Sequence, residues 1–300
     1  MRISTLQLYQ QGVNAMLDRQ AELAKTQLQM ATGKRVLAPS DDPTASTRVL
    51  KLSQLIDMNT QYQRNADAAQ TRLSLEDSVL SQTGDLLQRV RELAVQAGNS
   101  TLTANDRAAI AVEVRTRLDE LLQASNSKQA NGKYLFAGYQ TTTKPFNDAG
   151  GGSYSYAGDQ GQQMLQIGPT RKLASADPGS KVFMQVDNGA GGVDSMFAVL
   201  ADFATALEAN TTPTTTLSRL DSAINQVLST RASIGARLNT IDTQKSINDT
   251  FDLQLQKNRS SLADLDYAKA ASRLQRQSLA LQASQQSFIK IQSLSLFKYL

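Results

Sequence analysis

TLQLYQQGVNAMLDRQAELAKTQLQM, residues 5–30, places Tyr9, Met16, Leu23 and Met30 seven residues apart, and Leu37 extends the series. Leu6 and Val13 each stand three positions before the first two members. A seven-residue apolar repeat with a companion series marks the seam of a paired helix. Here the companion series fails, because Gln20 and Gln27 occupy its next two positions. A matching series lies near the other end of the chain: Tyr267, Leu274, Leu281 and Phe288, with Ala270, Gln277, Ser284 and then Ile291 as companions. Two matching, imperfect seams predict that the terminal helices pair with each other. Gln and Ser in the seam leave little apolar area to offset the ordering entropy. The pair is therefore read as marginal in isolation, with a stable intramolecular coiled coil as the alternative.

The second seam runs into SFIKIQSLSLFKYL, residues 287–300. At 100° per residue, Phe288, Ile289, Ile291, Leu294, Leu296, Phe297, Tyr299 and Leu300 point in nearly every direction around a helix. A helix apolar all round is buried on all sides, in protein or in a membrane. The interspersed Lys290, Gln292, Ser293, Ser295 and Lys298 argue against lipid, and no stretch approaches the ~18 apolar residues a spanning helix needs. One partner helix covers one side only, so neighbouring copies are expected to cover the rest.

Bulk composition agrees with a helical, lean-cored chain. It is 40% hydrophobic but only 5% aromatic, with a mean hydropathy of −0.35. Cysteine and histidine are both absent, which removes disulfides, thiol nucleophiles and the commonest general base and metal ligand. An enzyme is not expected, nor are cofactors or metals. The segment 1–35 is net basic through Arg2, Arg19, Lys25, Lys34 and Arg35, and 267–300 carries five basic residues without an acid. These charges are dispersed among Gln and Ser, so they read as solvated helix faces and not as a nucleic-acid surface. The N-terminus has no continuous apolar core of the kind a cleaved secretion signal carries. The expectation is a cytoplasmic chain, or one exported with its N-terminus uncleaved.

Between the first seam and the next helix lies ATGKRVLAPSDDPTAS, residues 31–46. Asp42 followed by Pro43 is a helix cap plus a first-turn proline. Capping and the helix dipole account for the acidic pair Asp41/Asp42 without catalysis. Apolar spacing from Pro43 to AGNS at 97–100 predicts one helix about 80 Å long, with Gly84 as a point of bending. A second helix is expected from about Thr103 to the Asn131-Gly132 stop. Residues 138–192 then hold eleven of the seventeen glycines, and YLFAGY, SYSYAG, QQMLQI and KVFMQV read as β-prone pieces of a small insert. A short helix, the Thr-rich TTPTTT and a long helix from Leu217 follow, with Asp264 or Asp266 able to cap the terminal seam. The expected class is mainly α: an elongated helical rod with paired terminal helices and a small β-rich insert. Three nested domains are expected: 1–40 with 265–300, 41–137 with 213–264, and 138–212.

MRISTLQLYQQGV (1–13), ATGKRVLAPSDDPTAS (31–46), NGKYLFAGYQTTTKPF (131–146) and the last 37 residues from DLDYAKA onward together resemble the flagellin superfamily. The SDD corner at 40–42 and DYA at 266–268 are common to flagellin itself. MRIST, GKRVLAPSDDP (33–43), YLFAGY (134–139) and LSLFKYL (294–300) look instead like the branch that joins the flagellar hook to the filament. That resemblance implies a structural adaptor, exported unfolded by the flagellar type III apparatus to the cell exterior. A cytoplasmic chaperone would bind its C-terminal helix. It would form a homo-oligomeric ring between the first hook-associated protein and flagellin, without membrane insertion. The seam residues (Leu6, Tyr9, Val13, Met16, Leu23, Met30, Tyr267, Leu274, Leu281, Phe288, Ile291) and the tail's Leu294, Leu296, Phe297 and Leu300 would form the assembly interface. Ser40, Asp41, Asp42 and Pro43 would form a structural corner. The competing readings are a flagellin-type filament subunit and a secreted coiled-coil adhesin or effector.

Overall fold

The computed structural model describes residues 5–189, 191–211 and 214–293; the side chains at 5, 6, 8 and 291–293 lie outside that description. Three helices come first: α1 (Thr5–Thr32), α2 (Pro43–Ala97) and α3 (Ala104–Ser125). Short strands follow: β1 (Phe146–Gly150), β2 (Ser153–Tyr156), β3 (Met164–Gln166) and β4 (Lys172–Ala174). Then come α4 (Gly179–Phe183), β5 (Val186–Asp187), β6 (Val193–Asp194), α5 (Met196–Glu208), α6 (Thr216–Ala263) and α7 (Tyr267–Ser293). The fold is mainly α. The strands pair only as antiparallel neighbours, β1 with β2, β3 with β4 and β5 with β6, with a register shift between Asp148 and Gly150.

The chain divides into two compact units, one of residues 1–58 with 250–300 and one of residues 59–249. Every residue of the buried hydrophobic cluster belongs to the second. There α2 presents Ala66, Leu73, Leu80, Leu87 and Ala94 at seven-residue spacing, and α6 presents Leu220, Val227, Ile234 and Ile241, all buried. Ion pairs Arg91–Asp221, Arg231–Asp77 and Lys245–Asp67 run alongside and give the two helices opposite directions. Asn59 and Asn248 continue the two series as a buried polar layer: Asn59 donates to the Asn248 carbonyl at 2.8 Å, and Asn248 to the Ile167 carbonyl at 2.9 Å. Buried amides in an apolar seam select one register, since any slip leaves them unpaired. Helix α2 is continuous through Gly84, which faces Val227.

The insert is built around aromatic rings. Phe146 packs on Phe183 and Phe197 with centroids 5.4 and 5.2 Å apart, and Phe136 meets Phe183 edge-on at 5.1 Å. This packing explains three departures from the expected local structure. YLFAGY is not a strand: Leu135, Phe136 and Ala137 are all buried in succession, and Gly138, at φ +68°, turns the chain. In KVFMQV, Val182 and Phe183 are likewise buried side by side, so the first half forms α4 and only Val186 enters a strand. Helix α3 stops at Ser125 instead of continuing to Asn131-Gly132. The Asn126 side chain donates to the Leu122 and Phe146 carbonyls and accepts the Phe146 amide, tying the helix end to β1.

Candidate assembly interface

In the first unit, α1 and α7 pack against each other in opposite directions. The Tyr9 and Phe288 rings lie 5.1 Å apart, and the Tyr267 hydroxyl donates to the Met30 carbonyl at 3.3 Å. Met30 lies 21 residues beyond Tyr9, and Phe288 lies 21 beyond Tyr267, so three heptads on one helix face three on the other. Gly12 permits the close approach, since a Cβ there would stand 2.9 Å from the Phe288 ring. Val13, Met16, Leu23, Leu274, Leu281 and Phe288 are half-buried. Tyr9 and Tyr267 remain 46% and 55% exposed, and Leu17, Leu28, Leu279 and Ile289 are more exposed than buried. Among the described residues of the pair, the well-buried ones are Thr26, Gln29 and Ala270, small or polar. The seam therefore positions two helices without building a core. The side chains of Leu6 and Ile291, and Leu294, Leu296, Phe297 and Leu300 entirely, lie outside the described residues.

The corner is held by carboxylates bound to backbone. Asp42 Oδ1 accepts the Ala45 amide at 2.9 Å and caps α2, whose first residue is Pro43. Asp41 accepts from Lys25 Nζ at 2.6 Å and from the Leu37 and Ala38 amides, closing the turn in which Ser40 lies. The Lys25 bond first, and the amides after it, hold Asp41 below its ordinary value; the Ala45 amide and Arg35 do the same for Asp42. Asp266 Oδ1 caps α7 by accepting the Lys269 amide at 3.1 Å.

Arg35, which the sequence did not single out, ties this corner to the far end of the chain. Its guanidinium donates to Asp42 Oδ2 at 3.2 Å and to the Leu262 carbonyl at 2.9 Å. Its amide donates to the Ala263 carbonyl, and the Leu265 amide donates to the Gly33 carbonyl. Gly33 sits at φ +69° with the Tyr267 hydroxyl close above it, so a side chain there would be strained and crowded. The glycine ending α1 was legible as a stop, but its pairing with residues 227 or more positions away left no local pattern. Among the described residues, no three or more Asp or Glu are grouped to hold a metal, and no helix is long and apolar enough to cross a membrane.

A family model described as bacterial flagellin N-terminal helical region matches residues 3–141, and one described as bacterial flagellin C-terminal helical region matches residues 217–300. The flagellar hook-associated protein 3 of Salmonella typhimurium is 35% identical over 99% of both chains. The protein of that name from Escherichia coli is 34% identical over the same shares. The fold is similar to the hook-associated protein 3 of Legionella pneumophila, with a TM-score of 0.68 at 22% identity over 71% of this chain and 98% of that one. It is also similar to a hook-associated protein from Vibrio parahaemolyticus, with a TM-score of 0.67 at 22% identity over 75% of this chain and all of that one. With terminal helices that match the flagellin regions and full-length identity to proteins of one name, the chain belongs to the flagellar hook-associated protein 3 family of the flagellin superfamily.

Proposed function

We propose that this flagellar protein is the adaptor that forms a homo-oligomeric ring between the first hook-associated protein and flagellin. In this role α1 and α7 are its assembly surface. The observation that carries the reading is the imbalance between the units. The terminal pair is aligned over three heptads and anchored at both ends, yet among the described residues the hydrophobic cluster lies wholly in residues 59–249. Apolar side chains such as Leu17, Leu279 and Ile289 are left facing outward on helices whose own pairing hides little. Exposed apolar side chains on a helix pair that builds no core of its own suit a surface that a partner covers, and the full-length similarity to hook-associated proteins points to flagellar partners. Export proceeds through the flagellar apparatus without a cleaved signal, with a cytoplasmic chaperone on the C-terminal helix, and the ring is extracellular. The domain scheme of 1–40 with 265–300, 41–137 with 213–264 and 138–212 belongs to the same proposal, as do the corner Ser40–Pro43 and the terminal apolar residues. No catalytic role enters it.

Deleting residues 291–300 tests the proposal. Cells carrying that deletion are expected to release flagellin as monomer and to keep no filaments, read by fractionating medium and cell surface. Normal filaments would overturn it.

A further inference from the structure

Glu76, on α2, has none of its surface exposed. Its Oε1 accepts the Asp177 amide at 3.2 Å, while Oε2 is enclosed without a hydrogen-bonding partner. A carboxylate so placed has lost its water for one hydrogen bond, which favours the neutral acid. The charged groups around it do not reverse that preference. Arg237 on α6 donates to Asp177 Oδ2, and to the Ala174 carbonyl at 3.2 Å. Arg72, one turn earlier on α2, donates to Gln163 Oε1 at 2.7 Å and to the Leu135 carbonyl at 3.3 Å. Asp177 itself brings a second negative charge. Burial first, and the Asp177 charge second, push Glu76 up to about 8 against the opposing pull of Arg237 and Arg72.

The segment carrying Asp177 is a strap, residues 175–179, buried at five consecutive positions. It is tied by the Ser175 amide to the Gln163 carbonyl, by the Gly179 amide to the Phe136 carbonyl, both at 2.9 Å, and by the Asp177 amide to Glu76. We propose that this strap is a proton-dependent latch, held against α2 while Glu76 carries a proton and driven open when that proton is lost. Opening admits water to Glu76, moves Asp177 away from it, and releases one proton to solvent; no other bond order changes. Because the exposed carboxyl ionises near 4.5 and the enclosed one near 8, the opening equilibrium rises with pH between those values and levels off above them.

Amide hydrogen exchange on the full chain, corrected for intrinsic rates, reads this directly. Protection of Ser175, Asp177 and Gly179 is expected to fall about tenfold per pH unit from about pH 5 to about pH 8 and then to plateau. Those amides are also expected to be less protected than α3 amides such as Leu118, and Glu76→Gln is expected to abolish the pH dependence. The proposal is overturned by a flat profile in the native chain, by an equal slope in Glu76→Gln, or by strap amides that open only together with α3. Should Glu76→Gln fail to fold, a carbon-13 titration of the Glu76 carboxyl in the native chain decides alongside the exchange profile. Ionisation in the ordinary carboxylate range overturns the latch.

Discussion

At the scale of single residues, the corner shows how short polar side chains set chain direction. Asp41 and Asp42 are adjacent and identical, yet they take different tasks: one closes the 37–41 turn onto Lys25, the other caps α2 and receives Arg35. The capping role of Asp42 follows from Asp-Pro at a helix start and was readable from residue type and spacing alone. The Lys25 and Arg35 bonds were not, since they join residues 7 to 227 positions apart. Both carboxyls sit below their ordinary value of 3.8, so the ionised form is the one the fold binds. The sign follows: their contribution is complete above the ordinary value and is lost as pH falls through the lower folded values. Acid titration followed by exchange at the Ala45 and Leu37 amides should show the corner opening below pH 3.8, while Asp41→Asn is expected to open the 37–41 turn already at neutral pH.

At the scale of elements, seven-residue spacing appears twice with opposite outcomes. Between α2 and α6 the positions are Leu, Val, Ile and Ala, with one layer of paired Asn, and are closed to solvent; between α1 and α7, Gln and Ser interrupt them and the helices stay half-exposed. The difference is the apolar area each residue removes from water, about 25 cal/mol per Å². Helix α2 also shows that a glycine need not mark a bend. Gly84 costs α2 backbone order that alanine would not, and an added Cβ would make an ordinary contact 3.8 Å from Val227. Gly84→Ala is therefore expected to stabilise the second unit by about 0.5–1 kcal/mol, measured as a raised urea midpoint with unchanged slope. The strands were less legible than the helices. YLFAGY and KVFMQV have β-prone residues, but the aromatic cluster of Phe136, Phe146, Phe183 and Phe197 draws neighbouring side chains inward together, and packing overrides propensity.

At the scale of the whole molecule, the two units differ in what holds them. The second has the entire buried cluster and the buried Asn59–Asn248 layer; the first has helix pairing, caps and the Arg35 bonds. Local opening is easiest where few apolar contacts are buried. Limited proteolysis of the dilute monomer is therefore expected to cut within residues 5–40 and 265–293 first and to leave a resistant fragment within 59–249. Terminal helices as resistant as that fragment would contradict the assembly reading. The amino-acid sequence by itself determined the long helices, the cap at Asp42, the pairing of the chain ends, and the family, because periodicity, capping chemistry and short motifs are local properties of the chain. Tertiary structure alone decided that Glu76 loses all its water, that Arg35 bridges to Leu262, and that Phe136 and Phe183 forgo strands for a shared core. Those outcomes depend on which distant residues exclude solvent from a given side chain, and burial is a property of the packed chain.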